Sequence, residues 1–191
     1  MTSDEELMLS WQRGGRAALD ALVERFHTPV YRYLLRLTAR PELAEDLTQD
    51  CFVRLVGCAA LYQYPRPVRP WLYTIATNIL RSYAESAYYR HPTVSYEEDD
   101  RLADPAETPH LLIGPWADHD DLQAALRQLS ADHREVIILR YTEDFSLAEI
   151  ATILHVPLGT VKTRLLRALR RLRTLLEERR AEEQAEVSYV R

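Results

Sequence analysis

The chain has 191 residues, is 47% hydrophobic and carries a formal net charge of −5. Such a chain can bury a sizeable core in one or two domains, and its acidity argues against a protein that simply coats nucleic acid. No apolar run approaches the roughly 20 residues of a membrane span, and the start, Met-Thr-Ser-Asp-Glu-Glu, lacks the basic and apolar stretches of a signal segment, so a cytoplasmic protein is expected.

Five Gly and ten Pro suggest helices with few tight turns. Residues 4–13 read as a short first helix. Residues 16–38 read as a longer one, with Leu19, Leu22, Val23, Phe26, Val30, Leu34 and Leu37 spaced for one buried face. Pro29 lies inside that pattern and predicts a kink or break near His27–Thr28. Pro41 opens the next helix, residues 41–58, whose buried stripe is Ala44, Leu47, Cys51, Leu55 and Cys58. Its opposite arc holds Glu45, Asp46, Gln49, Val53 and Val56, with Asp50 at the edge. Acids mixed with valines on an outer face suit protein docking, although chance placement of two valines gives the same pattern. The two cysteines, Cys51 and Cys58, are two helical turns apart, about 10 Å, which is too far for a disulfide within one helix. They read as buried free thiols.

Residues 62–70 form a loop stiffened by three prolines, with aromatics and arginines side by side. A helix then runs from Trp71 to about Tyr89. Leu72, Ile75, Ala76, Ile79 and Tyr83 are expected inside, and Thr74, Asn78, Arg81 and Glu85 outside. Hydrogen-bonding groups beside aromatics and arginine suit unstacked single-stranded bases. The same composition also describes an ordinary capped helix with core aromatics.

Between His91 and about His119 the periodicity lapses. Four prolines fall here, and residues 95–121 carry nine acids and one arginine. This predicts an extended acidic linker. The expected organisation is all-α: a helical domain at 1–90, the linker at 91–120, a second small helical domain at 121–180 and a charged tail at 181–191. The second domain opens with an amphipathic segment, Asp121–Leu129. Ser130 can cap the next helix, which holds Val136, Ile137, Leu139 and Arg140.

Ser146 with Glu149 is a capping box that starts another helix. His155 and Val156 break it, and Pro157 suits the first turn of a further helix. Helix, tight turn and longer helix make a helix-turn-helix. In the longer helix Val161, Leu165, Ala168, Leu169, Leu172 and Leu176 share one arc, while Lys162, Thr163, Arg167, Arg170 and Arg171 lie across the rest. Every charged residue between Val156 and Leu176 is basic. Leu166 sits among the cations, where an apolar tip suits a thymine methyl. A solvated basic helix packed on its neighbour is the plain alternative. Glu177 to Arg191 is highly charged and expected to fray. The histidines and cysteines show no metal-ligand spacing, and no glycine-rich phosphate loop occurs. No cofactor and no catalytic residue are expected.

Three stretches together resemble the extracytoplasmic-function (ECF) group of bacterial RNA polymerase sigma factors. Pro41-Glu-Leu-Ala-Glu-Asp-Leu-Thr-Gln-Asp-Cys-Phe-Val-Arg-Leu55 resembles the family's "A-E-D-L-x-Q-E-x-F" region-2 helix. Trp71-Leu-Tyr-Thr-Ile-Ala-Thr-Asn78 is similar to "W-L-Y-x-I-A-x-N". Leu129 to Arg173 resembles region 4, ending in a match to "P-x-G-T-V-K-S-R". The resemblance runs from about Leu19 to Leu176. Val56 departs from it, standing where the family often has an aromatic, and the 71–90 helix has only Arg81 and Arg90 as cations.

The resemblance implies a factor that binds core RNA polymerase, through the β′ clamp helices and the β subunit, and directs it to promoter DNA. It implies polymerase contacts at Asp46, Gln49, Asp50, Val53 and Arg54. It implies capture of the melted −10 strand near Trp71, Tyr73, Asn78 and Arg81. At the −35 duplex it implies base reading by Lys162, Thr163, Leu166 and Arg167, with Arg164 and Arg171 on phosphates. An anti-sigma partner is also implied. The alternative from another class is a helix-turn-helix regulator that binds duplex DNA without polymerase. An enzyme with an appended DNA-binding domain is disfavoured by the lack of any convergent nucleophile, base or metal set.

Overall fold

A computed structural model describes residues 2–90 and 119–189. The chain is all-α among the described residues and divides into two compact units. The expected acidic linker lies, for residues 91–118, outside the described residues.

The first unit is built on four helices, α1 (Asp4–Gln12), α2 (Arg16–Thr38), α3 (Pro41–Cys58) and α4 (Val68–Arg90), with a 3₁₀ turn at Ala59–Leu61. A capping box starts α1: the Glu6 amide donates to Ser3 Oγ at 3.1 Å, and the Ser3 amide donates to Glu6 Oε2 at 2.8 Å. Asp4, Glu5 and Glu6 place negative charge where the helix amides favour it. Gly14, at φ +93°, then reverses the chain. A Cβ on Gly15 would lie 2.6 Å from Ser10 Oγ and 3.0 Å from the Ser10 carbonyl oxygen, so a larger residue here would require Ser10 to shift.

Of the kink or break expected near His27–Thr28, the break does not occur: the helix α2 continues through Pro29. Proline removes one backbone donor, which a 23-residue helix anchored by Leu22, Phe26, Val30 and Leu34 tolerates. Ala39, in the left-handed region at φ 53°, ends it, and Pro41 opens α3 as expected.

The helix α4 starts at Val68, three residues before the expected Trp71. Each of α1, α2 and α3 packs against it. Residues 71 to 77 are consequently all buried, including Thr74, which the periodicity placed outside. Both buried threonines are satisfied. Thr74 Oγ1 donates to the Pro70 carbonyl at 2.9 Å, and Thr77 Oγ1 shares a hydrogen bond with Tyr33 Oη at 2.9 Å. Burial on every side is what a central core helix shows. Cys51 is also in this core, where burial pushes its thiol up to about 12. Cys58 is half-buried, and both thiols are free.

The described residues after 118 form α5 (His119–Gln128), α6 (Ala131–Ile137), a π turn at Ile138–Thr142, α7 (Leu147–Leu154) and α8 (Leu158–Tyr189). The start of α5 falls two residues inside the expected linker. Ser130 caps α6, accepting from the His133 amide at 3.4 Å. Arg134 closes the end of α5: its guanidinium donates to the carbonyls of Leu126 (2.8 Å), Arg127 (2.8 Å) and Leu129 (3.0 Å). These are the orphan acceptors of a helix C-terminus. Both α5 and α6 pack on α8. Instead of fraying near Glu177, α8 stays helical to Tyr189.

Candidate nucleic-acid interface

The capping box that opens α7 forms as the sequence predicts. The Ser146 amide donates to Glu149 Oε2 at 2.8 Å, and the Glu149 amide donates to Ser146 Oγ at 3.3 Å. His155, at φ 55°, makes the tight turn, and the Pro157 carbonyl accepts the first bond of α8 from Val161 at 3.2 Å. Pro157 therefore sits immediately before the helix rather than in its first turn.

Along α8, Val161, Ala168, Leu169 and Leu176 are buried, joined by Leu175, while Leu165 and Leu172 are half-buried. The other side holds the candidate reading residues. Lys162, Thr163, Arg170 and Arg171 are exposed, and Leu166 and Arg167 are half-buried. Thr163 Oγ1 donates to the Gly159 carbonyl at 3.0 Å, which leaves its oxygen as an acceptor toward a base amino group. Arg170, exposed on the same side, is a cation that the sequence reading left out of its contact set. Arg164 departs from expectation. It is ion-paired with Asp132 of α6 rather than left open for a phosphate, because its place on the helix borders the buried arc.

In the first unit the expected −10 set divides. Asn78 is exposed and Arg81 is half-exposed. Trp71 and Tyr73 are core residues. The Trp71 ring lies 5.3 Å from that of Tyr62, and Tyr73, with no exposed surface, lies 5.0 Å from the Tyr33 ring. Both rings are thus buried in the core, whereas the resemblance implies strand capture near them. The physical reason is that α4 has neighbours on every side at this level.

The exposed aromatic near these positions is Tyr64, 52% exposed in the loop before α4, with exposed Leu61 and Arg66 close by in sequence. The loop is fastened at both ends by α1. Gln12 Nε2 donates to the carbonyls of Ala59 and Tyr62, each at 2.8 Å, and Glu5 Oε1 accepts from the Val68 amide at 3.3 Å. Tyr62 Oη donates to the Arg66 carbonyl, and burial, then the nearby Glu5 carboxylate, push this phenol up to about 12. The sequence signal for Tyr64 was its place among prolines and arginines; nothing local pointed to Gln12 or Glu5.

The third set lies on α3. Asp46, Gln49, Asp50, Val53 and Arg54 are all exposed, Val53 at 72%, and Val56 is 43% exposed. Beside them His27 stacks on Phe52 with ring centroids 6.0 Å apart. A groove of about 830 Å³ separates α3 from α4 and brings Asp50, Val53 and Arg54 alongside Asn78. Among the described residues no cluster could hold a metal ion, and no helix is long and apolar enough to cross a membrane.

Two helical units, one carrying a helix-turn-helix whose second helix exposes basic residues, define a helical protein of DNA-binding type. The family model "Sigma-70 region 2" matches residues 22–88, and "Sigma-70, region 4" matches residues 119–172. The ECF RNA polymerase sigma factor SigL of Mycobacterium tuberculosis is 36% identical over 169 residues, covering 85% of this chain and 90% of the relative. The ECF sigma factor SigE of Mycolicibacterium smegmatis is 34% identical, covering 95% of this chain and 67% of the relative. The sigma factor RpoE of Bartonella quintana, solved with the anti-sigma factor NepR, superposes with a TM-score of 0.66 at 26% identity, covering 83% of this chain and 96% of that one. The chain belongs to the ECF RNA polymerase sigma factors. It is a promoter-directing subunit rather than a plain helix-turn-helix regulator.

Proposed function

We propose that the chain acts in the cytoplasm, without catalysis of its own, by docking α3 on core RNA polymerase and presenting two DNA-contacting surfaces. Lys162, Thr163, Leu166 and Arg167 read bases of the −35 duplex, and Arg170 and Arg171 hold phosphates. The −10 strand lies along the loop before α4 and past Asn78 and Arg81, with Tyr64 offering a ring to an unstacked base. Asp46, Gln49, Asp50, Val53 and Arg54 contact the polymerase clamp. The acidic segment 91–118 is a connector between two functional domains. An anti-sigma protein restrains the free chain by covering these faces, as supported by the complex in which the Bartonella relative was solved.

The observation that carries this reading is the division of α8 into a buried apolar arc and an exposed one whose charged residues, from Lys162 to Arg173, are all basic. Stacking contributes roughly 1–3 kcal/mol per base, comparable with the few kcal/mol needed to unstack a step. Strand capture therefore runs on binding energy alone. The test is run-off transcription beside core-binding affinity. Arg167→Ala is expected to weaken −35-dependent transcription by about 5- to 150-fold, the worth of one good base contact, at unchanged core affinity. Asp50→Arg is expected to do the reverse, lowering core affinity first. Equal loss of core affinity in Arg167→Ala would sink the assignment of α8.

A further inference from the structure

One cation on the second turn of α8 is held unlike its neighbours. Arg164 has a side-chain exposure of only 25%, and its Nη2 is ion-paired with Oδ2 of Asp132. Asp132 lies in the first turn of α6, where backbone amides favour a carboxylate. Lys162, Thr163, Arg170 and Arg171, by contrast, are exposed.

The pair falls at the N-terminal end of α8, where apolar anchoring is sparse. Leu158 is 42% exposed and Leu165 half-buried, so Val161 is the one fully buried apolar side chain at this end. Farther along, Ala168, Leu169, Leu175 and Leu176 fix the helix by burial. The N-terminal turns of a recognition helix are the ones that meet base edges. A site on a rigid element fails when its support is loose by about 1 Å. The end of α8 that most needs fixing thus rests on one buried side chain, and the ion pair supplies the second anchor.

We propose that Asp132 and Arg164 form a positioning latch, which holds the reading end of α8 against α6 and sets the angle at which Lys162 and Thr163 reach the bases. Arg164 is a positioning residue and not a phosphate ligand. This rests on the reading of α8 as the −35 recognition helix. The two roles differ in the sign of one substitution. A latch is broken by Asp132→Asn as surely as by Arg164→Gln. A phosphate ligand restrained by Asp132 is instead released when that carboxylate is neutralised, and binding tightens.

The test uses the full chain reconstituted with core polymerase, titrated with a duplex carrying the −35 sequence over a range of salt. Asp132→Asn and Arg164→Gln are each expected to weaken binding about three- to tenfold, and the double variant by no more than the weaker-binding single. The salt slope stays at the wild-type value, and affinity for core polymerase is unchanged, which separates a misplaced helix from an unfolded chain. The charge swap Asp132→Arg with Arg164→Asp recovers at least half the loss. Tighter binding by Asp132→Asn overturns the latch. So does a slope reduced by about one phosphate in Arg164→Gln, or a swap no better than the single variants. Wild-type holoenzyme indifferent to the −35 sequence would remove the promoter reading itself, a distinct result.

Discussion

The helices α4 and α8 both carry stretches the sequence marks as nucleic-acid contacts, yet they sit in their units in opposite ways. The first seven residues from Trp71 are buried without interruption, whereas α8 keeps one arc in the core and one in solvent. A surface helix shows its function on its own face. A central helix instead serves function through what it supports, here the loop before it and the neighbouring helix across the groove. Aromatic residues therefore mean different things in the two places: Trp71 and Tyr73 are structural, and Tyr64 in the loop is the one offered to solvent.

The comparison is broken most directly at Tyr73. Tyr73→Ala should cost about 3–5 kcal/mol of first-unit stability, as large-to-small core changes do, and urea unfolding should show it in that unit alone. A variant of wild-type stability that loses only −10 recognition would return Tyr73 to the DNA surface. Gln12→Ala sharpens the same contrast at smaller scale. It removes the Gln12 donor from the Tyr62 carbonyl, while the Ala59 carbonyl keeps the Tyr62 amide, a cost of about 1–3 kcal/mol where the Tyr62 carbonyl stays unsatisfied. Promoter opening should fall while −35 binding holds, as followed by a fluorescent base in the −10 strand.

The smallest effect concerns pH. The folded state keeps the Cys51 thiol protonated up to about 12, while in the unfolded chain it ionises near its ordinary value of 9.0. The folded value is the higher one, so this stabilisation is intact below about pH 9 and is lost as pH rises toward 12. Urea midpoints at pH 8 and pH 10.5 should fall more steeply for wild type than for Cys51→Ala. Equal slopes would mean that the thiol does not stay neutral in the fold.

Most helices were legible because their signals are local. Ser146 with Glu149, Pro41 at a first turn, and the apolar arc of α8 each act within a few residues of chain. The exposed arc of α3 was legible for the same reason: Asp46, Gln49, Asp50, Val53 and Val56 face solvent as their spacing predicts. Thr74 was misplaced because a helical wheel assumes one solvent side, and α4 has none at that level. Pro29 suggests a kink or break because the loss of one donor is visible in sequence, whereas the burial that carries the helix through it is not. Gln12, Glu5 and the Asp132–Arg164 pair were hidden for another reason. Each depends on a partner far along the chain, and a polar side chain does not reveal its partner through spacing.

The two cysteines carry a practical consequence. Cys51 is sealed in the core as a neutral thiol, while Cys58 lines the groove between α3 and α4 beside Asp50, Arg54 and Asn78. The chain thus offers a built-in attachment point for a thiol-directed dye at the seam between the surfaces proposed to meet polymerase and promoter, with the other sulfur silent until the fold opens. A label placed there would watch whichever partner first fills that groove, with no engineered cysteine needed.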